Sequence, residues 1–257
     1  MATLAPHTLR LADNDRFYFG LALAMSAVLV AGFGLNFAMG RSTFAVPMIW
    51  HVHAVVFVGW VAIFLAQTWF ATRGPIELHL RLGWIASFWV VLMVVLGIAI
   101  TFATIRRGTA PFFFQPQHFL FANSLGILAF AGLTFAAVRL RRETDWHRRL
   151  QICAFATLMG PGFGRLLPSP LFIPYAFEVP VLIGLLFLVP PMIRDQRRSG
   201  RVHPAWWWGI GTVLSVLIVA RMIAPTPLGD AVYAGVTAGT PAAAVPGMAF
   251  GPLPPGL

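Results

Sequence analysis

Seven stretches of roughly 20 apolar residues leave this chain one kind of solvent to fold in, because each is long enough to cross a hydrocarbon core of about 30 Å. They cover residues 17–38, 47–71, 82–104, 118–140, 150–167, 172–193 and 206–224, and the fifth is interrupted at Pro161. Hydrophobic residues make up 58% of the chain and charged residues 10%, with a mean hydropathy of +0.79, a composition that no water-facing globular surface carries. The expected fold is all-α and integral to a membrane, with seven transmembrane helices. The first stretch is too long for a signal-peptide core and lacks a cleavage site, so it is read as a spanning helix.

Orientation follows from arginine, which supplies all 18 basic residues. The N-terminal segment and the even-numbered gaps hold 13 of them, from Arg10 and Arg16 to Arg198 and Arg201, and the opposite side holds five. By the positive-inside rule the N-terminal segment 1–16 is cytoplasmic, and seven crossings within 17–224 put the C-terminus outside. The net charge of +10 is then a topological signal, with the lipid bilayer as partner and no nucleic acid. The expected location is the bacterial cytoplasmic (inner) membrane. Residues 225–257, rich in Pro, Gly and Ala with Asp230 as the one charge, read as a disordered external tail.

Within the spans one phrase occurs twice. Glu77-x-His79-x-Arg81-Leu82 returns 68 residues later as Asp145-x-His147-x-Arg149-Leu150, with Arg73 and Arg141 six residues ahead of each His. His51 precedes His79 by 28 residues and His118 precedes His147 by 29. Both copies therefore read as His, apolar span, acid-x-His-x-Arg-Leu, apolar span. This predicts a duplicated helical hairpin, 47–104 and 118–167, forming a four-helix core.

The remaining polar residues sort by depth. His79, His147 and His203 fall at the cytoplasmic face, and His51, His53 and His118 at the external end. Residues two apart on a helix diverge by about 200°, so His51 and His53 cannot both face the bundle. His53, Trp60 and Gln67 recur every seven residues and form one stripe, which favours His53 as the inward residue. Arg165, Glu178 and Arg221 fall in the external half at depths where ionisable groups face protein or a wet cavity. An Arg165–Glu178 pair, or a triad with Arg221, is expected, either as an interhelical staple or as an external polar pocket shared with His51 and Gln67.

No chemistry-bearing motif is complete. Gly160-Pro161-Gly162-Phe163-Gly164 lacks the spacing, the lysine and the strand of a phosphate loop, and reads as a kinked small-residue packing site. Cys153 is alone, so there is no disulfide and no covalent haem attachment. With eight acidic residues, mostly at the membrane edge, no carboxylate-based hydrolytic set is present, and catalytic residues are not assigned.

Arg at a helix start opposes the macrodipole, so Arg81 and Arg149 call for an anion: lipid phosphate, or the carboxylate of a bound cofactor. A pseudo-twofold bundle would set His79 beside His147 at one end and His53 (or His51) beside His118 at the other. Imidazole is a strong ligand of haem iron, and bundle interiors hold such cofactors. The arrangement resembles haem-b four-helix membrane cytochromes and haem A synthase, which implies haem b, electron transfer, and a quinone or a redox protein as partner. Residues 51–168, with His51/His53, Gln67, Leu78-His79-x-Arg81-Leu82-Gly83, His118, His147-Arg148-Arg149-Leu150 and Arg165, are also similar to a bacterial integral-membrane family classed as a domain of unknown function. That family reads His-Arg-x-Leu-Gly at the first site, where this chain carries Leu80. A small-molecule carrier with an external pocket and a non-catalytic assembly protein are the alternatives.

Overall fold

The computed structural model describes residues 5–252, with side chains from Arg16 onward. In chain order the helices are α1 (Ala5–Ala38), α2 (Met48–Thr72), α3 (Ile76–Arg106), α4 (Pro116–Arg139), α5 (Thr144–Thr157), α6 (Gly160–Leu166), α7 (Glu178–Leu185), α8 (Val189–Ser199), α9 (Pro204–Ile223) and α10 (Pro227–Thr237). No strand occurs among the described residues. Among the described residues five helices are long and apolar enough to cross a membrane: Arg16–Ala38 of α1, then α2, α3, α4 and α9.

The two remaining apolar runs are broken, and proline explains both breaks. The fifth stops at Thr157 and resumes at Gly160, because Pro161 has no N–H to return to the preceding turn. The sixth, which composition presents as one span from Phe172, follows a 3₁₀ turn at Ser169–Phe172, and its helix begins only at Glu178. A second 3₁₀ turn, Leu186–Leu188, then precedes Pro190 and Pro191 in the first turn of α8. Glu178 consequently stands at a helix N-terminus rather than two turns inside a span.

The hairpins α2–α3 and α4–α5 pack against each other through α3 and α4, α9 lies along α4 and α5, and α1 closes the bundle against α2 and α6. Trp60 of α2 meets Phe130 of α4 edge to face at 5.2 Å, and Phe64 stacks on Phe155 of α5 at 4.0 Å. Among the close approaches that need glycine, a side chain at Gly32 would overlap the Gly162 backbone where α1 crosses α6, and one at Gly209 would overlap Cys153 where α9 crosses α5. Outward faces remain apolar, as along α3, where Trp84, Phe88, Val91 and Val95 are all exposed at helical spacing. Such a stripe suits lipid.

The segment after α9 departs from the disordered tail expected of it. Thr226 Oγ1 caps α10 by accepting from the Gly229 N–H, Pro227 opens the helix, and Tyr233 is buried against Ile105 and Leu120. Beyond α10, Gly247 O accepts from the Gln117 N–H at 2.9 Å, Met248 O from Gln115 Nε2 at 2.8 Å, and the Gly251 N–H donates to Phe112 O at 2.9 Å. A Pro/Gly/Ala-rich composition hid this because few side chains are needed when the backbone supplies the bonds. Residues 253–257 of the expected tail lie outside the described part.

Candidate functional site

His79 and His147 are each the fourth residue of a helix, α3 and α5, and each follows an acid at the second position, Glu77 and Asp145. Each imidazole reaches back to the preceding helix. Nδ1 of His79 lies 3.2 Å from Gln67 O near the end of α2, and Nδ1 of His147 lies 2.8 Å from Ala137 O near the end of α4. A carbonyl only accepts, so Nδ1 carries a hydrogen in both rings, and in the neutral ring Nε2 is the free nitrogen. The two rings sit 6.2 Å apart, centre to centre, with planes at 89°. Burial holds the His147 pKa below the ordinary range, its bond to Ala137 works the other way, and the neighbouring His79 adds to the depression.

The two arginines of the repeated phrase part company. Arg81 is exposed. Arg149 is buried, its Nε and Nη2 donating to the two oxygens of Asp195 at 2.8 and 2.6 Å, and its Nη1 to Asp145 Oδ1 at 2.7 Å. Trp206 Nε1 completes the cluster with a 2.7 Å bond to Asp195 Oδ2. Burial works against the Asp195 carboxylate, but Arg149 and Trp206 outweigh it and hold its pKa below the usual range. Asp145 is held low first by the hydrogen bond from Arg149. Arg149 is thus engaged within the protein, and Arg81 is the cation of the pair still open to an outside anion.

At the opposite end of the bundle, Glu178 pairs with Arg221, whose Nη2 also donates to Pro174 O at 3.0 Å. A carboxylate at the first residue of α7 also faces the positive end of the helix. His118 joins this cluster, with Nε2 3.4 Å from Glu178 Oε1. The expected pairing of His118 with His53 (or His51) is replaced by that contact. His53 lies against Phe57 at 4.1 Å, and His51 stacks on Phe44 at 6.4 Å in the segment before α2. Arg165 does not pair with Glu178: its guanidinium donates to Pro161 O at 2.9 Å and covers the Phe33 ring at 4.0 Å. Gln67, expected in the external pocket, belongs to the His79 end.

Three participants escaped the sequence reading. Asp195 had a signal, being the lone acid among Arg194, Arg197 and Arg198. Trp206 is fully buried and donates to Asp195. Gln117, next to His118, bonds Asp230 Oδ1 at 2.9 Å and ties α10 to α4. His203 serves the fold, its Nδ1 capping α9 by accepting from the Ala205 N–H at 3.2 Å.

Among the described residues no group of three or more His, Cys, Asp or Glu is placed to hold a metal ion. Comparison with family models, curated proteins and solved structures finds no match to this chain.

Proposed function

We propose that this chain is a redox protein of the bacterial cytoplasmic membrane that holds haem b between His79 and His147 and exchanges electrons with a quinone or a redox protein. The observation that carries the reading is the His79–His147 geometry. With Nδ1 of each ring tied to a backbone carbonyl, His79 and His147 are the residues that would hold the iron. Their ring centres stand 6.2 Å apart. Anchoring of Nδ1 to a backbone carbonyl is also the arrangement that orients a histidine ligand and raises the basicity of its free nitrogen. Arg81, exposed at the same end, is suited to a haem carboxylate. Haem, when bound, would supply a one-electron couple whose potential the residues that hold it and their burial would set.

The same reading takes the chain as seven spans, N-terminus cytoplasmic and C-terminus external, with α5–α6 and α7–α8 as broken crossings. The 13-to-5 arginine split supports the orientation. The shared fourth-residue position of His79 and His147 supports a duplicated core.

A second reading, a small-molecule carrier, rests on the other end of the bundle. There His118 Nε2 and Glu178 Oε2 are buried without a hydrogen-bond partner beside Arg221, and could take a polar solute.

Absorbance of protein expressed with haem supply and purified in detergent decides between them. The redox reading expects a low-spin spectrum with sharp reduced bands, lost in His79→Ala and in His147→Ala and kept in His118→Ala. Colourless protein, or a spectrum indifferent to both of the first two substitutions, overturns it in favour of the carrier.

A further inference from the structure

Where α9 lies along α4 and the start of α5, the surface opens into a groove. Two adjoining hollows of about 760 and 470 Å³ share Ala129, Trp208 and Thr212, and each is of a size that ligand sites have, roughly 300–1,000 Å³. The groove runs from Leu125 to Leu140 along α4 and from Pro204 to Val219 along α9. That is fifteen residues of each helix, or about 22 Å. A side chain added at Gly132 or at Gly211, both lining it, would meet nothing within 4 Å, so the space in front of them is open.

Length and charge say what fits there. A bilayer with its headgroups is about 40–45 Å thick, so a groove of about 22 Å covers one leaflet and ends near the midplane. A helix laid along it would run on through the other half of the core, where the groove has ended, whereas an acyl chain needs one leaflet. Trp146 and Trp208 stand at the end where α4 finishes and α9 begins, as indole rings do at headgroup level. At that same end α4 delivers cations. Arg139 lies seven residues beyond Gly132, on the same helix face, and between the groove residues Ala136 and Leu140. Arg139 and Arg142 are exposed, and among the described residues no hydrogen bond or ion pair holds either guanidinium. Arg141 gives one N–H to Val138 O at 3.3 Å and keeps its charge unpaired. Of the two acids nearby, Asp145 is engaged by Arg148 and Arg149, which leaves Glu143 against three arginines. The mouth is positive, and guanidinium is the cation whose fork matches a phosphate.

We propose that the groove between α4 and α9 binds one anionic glycerophospholipid from the leaflet on the arginine-rich side, with an acyl chain between the two helices and the phosphate on Arg139 and Arg142. The apolar walls hold the chain and do not distinguish one headgroup from another. The arginines do: a zwitterionic lipid brings its own cation to the same guanidinium groups, and an anionic lipid does not. The site holds whether or not haem is bound, and whichever face of the membrane the arginines occupy.

Its test is native mass spectrometry of the purified full chain in detergent, mixed with equal amounts of phosphatidylglycerol and phosphatidylcholine of the same chain lengths. Wild-type protein is expected to retain one phosphatidylglycerol several-fold more often than phosphatidylcholine. Gly132→Leu with Gly211→Leu, which puts side chains into the open groove, is expected to lose the bound lipid. Arg139→Gln with Arg142→Gln is expected to hold the two lipids equally, while Arg197→Gln, exposed on α8, keeps the preference. Thermal midpoints in detergent verify that the variants are folded. Equal retention of the two lipids by wild type overturns the proposal, as does a folded groove-filled variant that still retains phosphatidylglycerol like wild type. A loss in Arg197→Gln as large as in the Arg139 and Arg142 variant would assign the preference to diffuse charge and overturn it too. A dimer mass that disappears when the groove is filled would give the groove to a second copy of the chain instead.

Discussion

Arg149 and Asp195, 46 residues apart in the chain, form a two-point ion pair in which both side chains are buried and every N–O distance is below 3 Å. It ties α5 to α8, and through Trp206 to α9. Its worth lies in what breaking it leaves behind: one buried charge without a partner, a loss of about 3–5 kcal/mol in comparable sites. Asp195→Asn should therefore lower the thermal midpoint in detergent strongly. Replacing both residues by apolar ones of similar size, Arg149→Met with Asp195→Leu, should recover most of that loss.

The same pair sets an acid limit. Asp195 titrates below its unfolded value, so it stabilises the fold above the ordinary carboxylate range and loses that contribution as pH falls through its depressed pKa. Thermal midpoints should hold down to about pH 4, near the unfolded Asp value, and drop below it. In Asp195→Asn that drop should shrink; an unchanged acid profile would assign the limit to other carboxylates.

Glu178 and Arg221 should be coupled, and Arg165 should not. Glu178→Gln and Arg221→Gln should each destabilise, and the double variant should lose less than their sum by on the order of 1 kcal/mol, modest because Arg221 is partly exposed. Glu178→Gln with Arg165→Gln should be additive, since Arg165 is held by Pro161 and Phe33.

What was legible in the sequence follows from the range over which each signal acts. Helix length and apolarity are averages over about 20 residues, so five membrane-length helices were readable, whereas the prolines that break the sixth run leave its average almost untouched. His79 and His147 stood out because a repeated phrase is local and keeps register with the helix start. The partner of Arg149 is neither local nor repeated: Asp195 arrives on a helix whose path depends on those same prolines. The segment after α9 was misread for a related reason. Its Thr226-Pro227 cap and the buried Tyr233 are single residues inside a composition that otherwise resembles a linker.

Two glycines two residues apart should behave differently. A side chain at Gly32 would overlap the backbone of Gly162, while nothing lies within 4 Å of one at Gly34. Gly32→Ala should cost about 1–3 kcal/mol by forcing α1 away from α6. Gly34→Ala should be neutral or slightly stabilising, because alanine is the better helix former. Equal effects on thermal midpoint would mean that α1 and α6 do not cross at this point.

The number of crossings depends on the segment between α6 and α7. From Thr144 to Leu166, α5 and α6 cover 23 residues, about 34 Å if helical throughout, which suffices to cross a core of roughly 30 Å. If they cross, residues 167–177 lie on the external side; if they turn back, those residues stay with the arginines on the cytoplasmic side. The termini cannot decide this, because five and seven crossings both put them on opposite faces. Leu171, 80% exposed in this segment, can. With Cys153, the one native cysteine, replaced by Ala, Leu171→Cys in intact cells should react with a membrane-impermeant maleimide added outside. Labelling only after the cells are broken open would reduce the fold to five crossings and would contradict the contacts of Glu178 with His118 and Arg221.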